Sequence, residues 1–300
     1  MDNKKGQLSI GIWITIILFM FIGAIASGVE SMYLGLYLNN TTFKYGTMGA
    51  SLTLTDTINL IASLGSVISV ITTFVMGTLS EKLKNRKLFL SVGYIVWGIV
   101  MMLFSRVRGG NVGSFFGLSG MSEIITGTAI LIVGFSLVLT FLRSTTSDAV
   151  FSSWLTDIST PESSAKIEIA FTIMGFVSTA VITVLVANAQ AEKMDYSEIS
   201  VLFGGIAIAV GVLGFILIEN PRRIKRKRNA ENESSYWPDL FYGFRPSAIK
   251  ENKNLYLMLS SGCLFNCAYQ VFFPYLFIYL GSVVIPANKG VDLLSGKVIA

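Results

Sequence analysis

The chain has no histidine, only two cysteines and little charge. The absent histidine excludes imidazole-ligated zinc sites, the usual Ser-His-Asp triads and haem held by imidazole. Cys263 and Cys267 stand four apart in an apolar run. That setting reads as small packing residues rather than a redox or metal pair, and no cofactor is expected. Only 14% of residues are charged, where soluble domains carry about a quarter. What remains is apolar: 52% of the 300 residues are hydrophobic and the mean hydropathy is +0.65.

The apolar residues are gathered into seven runs, Ile10–Leu38, Leu52–Thr78, Leu88–Ser105, Ile124–Leu142, Ile169–Ala191, Ile199–Ile218 and Leu255–Gly281. About 20 apolar residues cross a bilayer core as a helix. In lipid the backbone must satisfy its own hydrogen bonds, so each run is expected to be helical. The expected fold class is an all-α, polytopic transmembrane helix bundle. Met1 to Lys5 is basic, but the run behind it is too long for the apolar region of a cleavable signal peptide.

Lysine and arginine set the orientation. With the N-terminus in the cytoplasm, the inner segments hold 17 of the 23 cations, Arg143 among them, and the outer segments hold 6. The chain is therefore expected to be multi-pass in the cell (plasma) membrane. Its pI of about 9.1 does not point to nucleic acid, because the cations sit in short blocks between apolar runs. Arg222 to Arg228 carries six of them in seven residues. Beside a membrane, such a block reads as a topology anchor facing anionic lipid. The expected organisation is a six-helix bundle over 1–219, a basic cytoplasmic linker over 220–253, and one further helix within 254–300. Thr160-Pro161-Glu162 reads as an N-cap, a first-turn proline and a first-turn acid, so the fifth helix starts there.

Small residues recur every four positions, as Gly23, Ser27 and Ser31, then Gly65, Ser69, Thr73 and Gly77, then Gly175, Thr179, Thr183 and Ala187. Such faces let helices approach closely in lipid. Tyr33-Leu34-Gly35-Leu36-Tyr37-Leu38 is echoed by Tyr275-Leu276-Phe277-Ile278-Tyr279-Leu280, 242 positions later. Both copies close a helix at the same side of the membrane. A parallel repeat of six-helix halves produces this spacing, and so does the ordinary preference of tyrosine for helix ends.

Behind the second run the sequence reads Gly77-Thr78-Leu79-Ser80-Glu81-Lys82-Leu83-Lys84-Asn85-Arg86-Lys87. This resembles the loop between helices 2 and 3 of the major facilitator superfamily. Gly77, Leu79, Ser80, Lys82 and Arg86 match the pattern. Glu81 replaces the usual aspartate, and Lys84 stands where glycine is usual. The resemblance implies a secondary transporter that moves a small solute, such as a sugar or another polar metabolite, by alternating access. It also implies a gating charge network around Glu81, Lys82 and Arg86, with symport of a coupling proton or cation as one mode. Asp148 to Asp157 resembles the helix 4–5 region of several subfamilies. Thr73 and Ser69 stand where related sugar–cation symporters carry aspartates, and the fifth run lacks the proline of drug–proton antiporters. Twelve helices are normal for the family, so a C-terminally truncated chain is expected. A non-transporting scaffold or an inactive fragment is the alternative.

Ionisable groups inside a membrane helix mark function or a buried pair. The seven runs hold two acids, Glu30 and Asp56. Glu30 stands about 9 Å past the middle of its run at 1.5 Å per residue, and suits proton coupling or solute binding. Asp56 is near a helix N-terminus, where an acid is favourable anyway. Asn266 and Gln270 share one face of the seventh run and can bond a polyol or a facing helix. Tyr33 and Tyr275 offer ring faces and hydroxyls, and serve equally as interfacial anchors. Glu123 is placed to pair with Arg106 or Arg108. No helix 7 lysine is available for a retinal Schiff base, and no cluster has catalytic spacing, so a photoreceptor and an enzyme are disfavoured.

Overall fold

The computed structural model describes residues 9–44, 46–83, 86–191, 193–218, 246–279, 291–292 and 297–298. Helix α1 spans Ile10–Thr42, α2 Leu54–Leu83, α3 Arg86–Phe104, α4 Gly109–Phe116 and α5 Met121–Ile158. Helix α6 spans Pro161–Gln190, α7 Tyr196–Leu217, α8 Pro246–Glu251 and α9 Lys253–Tyr279. Six of these, α1, α2, α3, α5, α6 and α7, are long and apolar enough among the described residues to cross a membrane. The described part of the seventh apolar run, residues 255–279, lies in α9. A two-residue antiparallel ladder pairs Val291 with Val298 and Asp292 with Lys297.

The six long helices grow out of the first six apolar runs, but two continue much further. Helix α1 passes through π-helical turns at Val29–Tyr33 and Leu38–Thr42. Helix α5 does not stop at Leu142. It runs through a π-helical stretch, Ser144–Phe151, and an α-helical end, Ser152–Ile158. Arg143 is therefore not in a loop: it lies 14 residues before Asp157 (143 to 157), within a helix that continues to Ile158. The segment around it, expected to connect two helices, is itself helical. Its residues Ser144–Ser147 looked polar enough for a loop, but Thr145 and Thr146 donate to Phe141 O and Leu142 O and stay within the helix.

Helix starts follow the sequence signals. Thr160 caps α6: its Oγ1 accepts from Ser163 N at 3.3 Å, and Ser163 Oγ accepts from Thr160 N at 2.8 Å. Asp195 caps α7 in the same way, with Glu198 returning to the Asp195 N–H. The end expected at Asn220–Pro221 and the basic block Arg222–Arg228 lie outside the described residues.

The bundle is held by α3 against α7, α1 against α6 and α7, and α5 against α2 and α3. Helices α3 and α7 meet backbone to backbone. A Cβ on Gly98 would lie 2.5 Å from Gly204 O, and one on Gly204 would lie 2.6 Å from Gly98 O. The small-residue faces expected to make such approaches mostly do not. Gly77 and Gly175 have open space where a Cβ would point, and Gly65 meets nothing nearer than 3.7 Å. Gly23 is the exception, 2.5 Å from Ser147 Oγ by the same measure. Aromatic residues tie one end of the bundle together: Tyr33 OH donates to Tyr196 O at 2.6 Å and Tyr37 OH to Val107 O at 2.6 Å. Cys263 and Cys267 are exposed and free, so they do not fill gaps among the described residues.

Candidate functional site

Arg143 places a cation among acids inside the bundle. Its Nε donates to Glu30 Oε2 at 3.0 Å, and its Nη1 donates to Asp148 Oδ2 at 2.8 Å and Oδ1 at 3.1 Å. Glu30 belongs to the first π turn of α1 and lies four residues past the middle of that helix, about 6 Å. It is thus nearer mid-helix than the shorter run Ile10–Leu38 implied. Glu30 and Arg143 are each only 16% exposed, Asp148 33%. Glu30 Oε1 is buried and makes no hydrogen bond among the described residues.

The Arg143–Asp148 pair depends on the π geometry. Five residues turn an α-helix by about 500°, which leaves positions i and i+5 some 140° apart. A π-helix instead bonds i to i+5 and stacks them. The stretch Ser144–Phe151 therefore brings Asp148 back under Arg143.

Two cavities open beside this group. The larger, about 610 Å³, lies between α1, α2, α5 and α9. Its polar wall is Glu30, Arg143, Ser31, Ser66, Ser69 and Thr140, with Asn266 from α9. Ser144 Oγ donates to Ser69 Oγ at 2.8 Å, fastening α5 to α2 beside the cavity. The smaller cavity, about 240 Å³, is walled by α1, α5 and α6 and contains Asp148. The stripes of small residues are the walls of these cavities: Ser27 and Ser31, Gly65 and Ser69, Gly175 and Thr179.

The residues singled out in the sequence scatter accordingly. Glu30 and Asn266 share the larger cavity. Asp56 does not line it; its carboxylate accepts from Thr53 N at 3.1 Å and Thr53 Oγ1 at 2.6 Å at the start of α2. Tyr33 turns away from the cavity into α7, where its hydroxyl also meets Ser200 Oγ at 2.7 Å. Tyr275 OH donates to Asn59 Oδ1 at 3.0 Å, joining α9 to α2. Of Gln270, Glu81 and Lys82 the backbone is helical, and their side chains lie outside the described residues. Gly77 lies within α2, and Arg86 starts α3. Arg86 pairs with Asp157 and also donates to Ser153 O at the end of α5.

Sequence reasoning missed Arg143 and Asp148 as site residues. The signal was the apolar residues Ala149, Val150, Phe151, Trp154 and Leu155 just beyond them, on a helix that continues to Ile158. It also misplaced Arg108, which pairs with Asp195 rather than Glu123 and donates to Ser197 Oγ at 2.7 Å. The guanidinium of Arg108 holds the Asp195 carboxyl below the ordinary aspartate value.

A multi-helix membrane bundle with a charged triad beside a large cavity has the architecture of a solute carrier. The sequence model of the Major Facilitator Superfamily matches residues 12–285. The chain therefore belongs to that superfamily, whose members move small solutes across membranes. No curated protein and no solved structure matches the chain.

Proposed function

We propose that this protein is a proton-coupled secondary transporter of a small polar solute, with the solute in the 610 Å³ cavity and the proton on Glu30. The observation that carries the reading is the charge balance at Arg143. Two carboxylates face one guanidinium, leaving one negative charge in excess inside the bundle. An uncompensated charge is expensive in a membrane interior, so the group favours taking up a proton. Glu30 Oε1, which makes no hydrogen bond among the described residues, is the oxygen placed to receive it. Once protonated, Glu30 releases Arg143 to Asp148, which changes the wall that the solute meets.

The uncharged part of the wall suits a polyol such as a sugar, since Ser66, Ser69, Thr140 and Asn266 supply hydroxyl and amide groups. Rocking of the bundle about this site is the expected transport motion. The Arg86–Asp157 pair is read as part of a gate with Glu81 and Lys82. The cation bias supports a cytoplasmic N-terminus in the plasma membrane. The Arg222–Arg228 block is read as contacting anionic lipid, within a linker that leads from the six-helix half to the first helix of a second half.

The test is uptake into proteoliposomes holding the purified full chain, with a pH gradient imposed or collapsed. Glu30→Gln is expected to abolish gradient-driven accumulation while solute exchange down its own gradient persists. Undiminished accumulation by the variant would overturn the coupling role of Glu30.

A further inference from the structure

Between α3 and α5 the chain forms α4, eight residues of which three are glycine. A helix so short and so rich in glycine does not stand alone in water. Its neighbours hold it. A Cβ on Gly113 would lie 3.1 Å from Ile124 Cδ1, and one on Gly127 would lie 3.2 Å from Leu118 Cδ1 and 3.7 Å from Val112 Cγ1. Gly127 stands three residues inside the apolar run Ile124–Leu142, roughly 5 Å along the axis. Helix α4 is thus folded back beside α5, at the level where the apolar run begins, and does not project off its end. Gly117 closes α4 in the left-handed region at φ 65°, and Leu118 N donates to Gly113 O at 2.9 Å. At about 100° per residue, Val112, Phe115 and Phe116 share one arc of about 100°, and Gly110, Asn111 and Ser114 share another. Val112 is buried, but Phe115 is 83% exposed and Phe116 55%, their rings edge to face with centroids 5.0 Å apart. Gly110, Asn111 and Ser114 are exposed as well.

We propose that α4 is an interfacial foot docked on phospholipid, in the leaflet at its end of the bundle, with Phe115 and Phe116 at the boundary of headgroups and acyl chains. Lipid is the occupant because this apolar surface continues that of the membrane helices on either side. Leu103, near the end of α3, and Met121, at the start of α5, are exposed apolar residues flanking α4 along the chain. Interfacial helices sink their apolar face about 5–10 Å into the headgroup and acyl boundary, which agrees with the level set by Gly127. The arc of Gly110, Asn111 and Ser114 then faces water. Asn111 Nδ2 donates to Arg106 O at 2.9 Å, and Arg106 is exposed and in no ion pair among the described residues. Lipid phosphate supplies its counter-charge. Arg108, the N-cap residue of α4, pairs with Asp195 at the start of α7. The docked foot thereby ties the ends of α3, α5 and α7 to one depth in the membrane. This docking is independent of the solute the carrier moves.

The experiment measures collisions of a nitroxide label with oxygen, which concentrates in lipid, and with a water-soluble nickel chelate. The full chain carries Cys263→Ser and Cys267→Ser, since both cysteines are exposed and free. One of Phe115→Cys, Phe116→Cys or Ser114→Cys then takes the label, and each protein is reconstituted into phosphatidylcholine vesicles. The ratio of oxygen to nickel collisions is expected to be severalfold higher at 115 than at 114, with 116 following 115. The proposal is overturned if 115 and 114 give the same ratio, or if the nickel chelate reaches 115 more than oxygen does. It is overturned equally if neither reagent reaches 115, as when a second copy or another protein covers the rings. Should the 115 variant fail to fold, the ratio at 116 against 114 decides in the same way.

Discussion

Replacing Arg143 by methionine keeps most of its length and removes its charge. Three hydrogen bonds to two carboxylates go with it. Breaking a buried ion pair from one side costs about 3–5 kcal/mol, because the partner charge is left uncompensated. Here two partners are left, both on membrane helices. For a chain of this size, such a loss lowers the unfolding midpoint by on the order of 10 °C. The informative step is a second substitution, Asp148→Asn, in the Arg143→Met background. Ordinary lesions add. These two should oppose each other, since the second removes one stranded carboxylate, worth roughly 2.5–3.5 kcal/mol at mid-membrane. The double variant is therefore expected to be more stable than Arg143→Met alone. Midpoints of the two variants and of Asp148→Asn, measured in one detergent and at one pH, give the coupling. A double variant less stable than Arg143→Met would show that the triad is not held by charge balance, and the transport reading built on it would lose its footing.

Three other outcomes are expected. Asp195 both caps α7 and pairs with Arg108, so stability should fall in the order wild type, Asp195→Asn, Asp195→Ala, the last by about 1 kcal/mol. The folded carboxyl titrates below its unfolded value; its contribution is therefore full above about pH 4 and is lost as the pH falls through the depressed folded value. Thermal midpoints that separate the three proteins equally at pH 7 and pH 3 would contradict this. Gly204→Ala sets a methyl group 2.6 Å from Gly98 O, and the forced separation of α3 from α7 should cost about 1–3 kcal/mol; an unchanged midpoint would refute the close approach. Tyr33→Phe removes the hydroxyl bonds to Tyr196 O and Ser200, which should cost about 1 kcal/mol and leave the transport KM unchanged; a raised KM would put Tyr33 at the solute after all.

The helical bundle was legible because lipid leaves so few options. A run long enough to span must be a helix, and the first six runs each lie on a long apolar helix. Local capping was legible for a similar reason: Thr160 and its neighbours carry their own partners. The site was only half legible. Glu30 stood out as an acid in an apolar run, and Asn266 as an amide in another. Arg143 did not, because charge at the end of an apolar run looks like a loop until the helix beyond it is known. The π turns that align Glu30 and Asp148 leave no period in the sequence, since they are set by how α1 and α5 pack. The small-residue stripes were visible, but spacing alone does not tell a tight seam from a cavity wall. The seam formed instead at Gly98 and Gly204, where both partners lack a side chain.

Helix α5 joins the two charged clusters. Arg143 stands just before its π stretch, Asp148 lies inside it, and Asp157, the partner of Arg86, stands beyond it. A π stretch holds one more residue per bonded turn than an α-helix. Passing that excess along the helix rotates everything between its old and new positions. Asp148 lies inside the stretch, so α geometry there would leave it about 140° around the helix from Arg143. The ion pair and the helix register are thus one variable: whatever strengthens or weakens the hold of Arg143 on Asp148 also acts on the register of α5. The Arg86–Asp157 pair clamps the far end of the same helix against α3. A change of charge at the cavity can therefore reach that clamp through α5 itself, with no need for a chain of side chains between them.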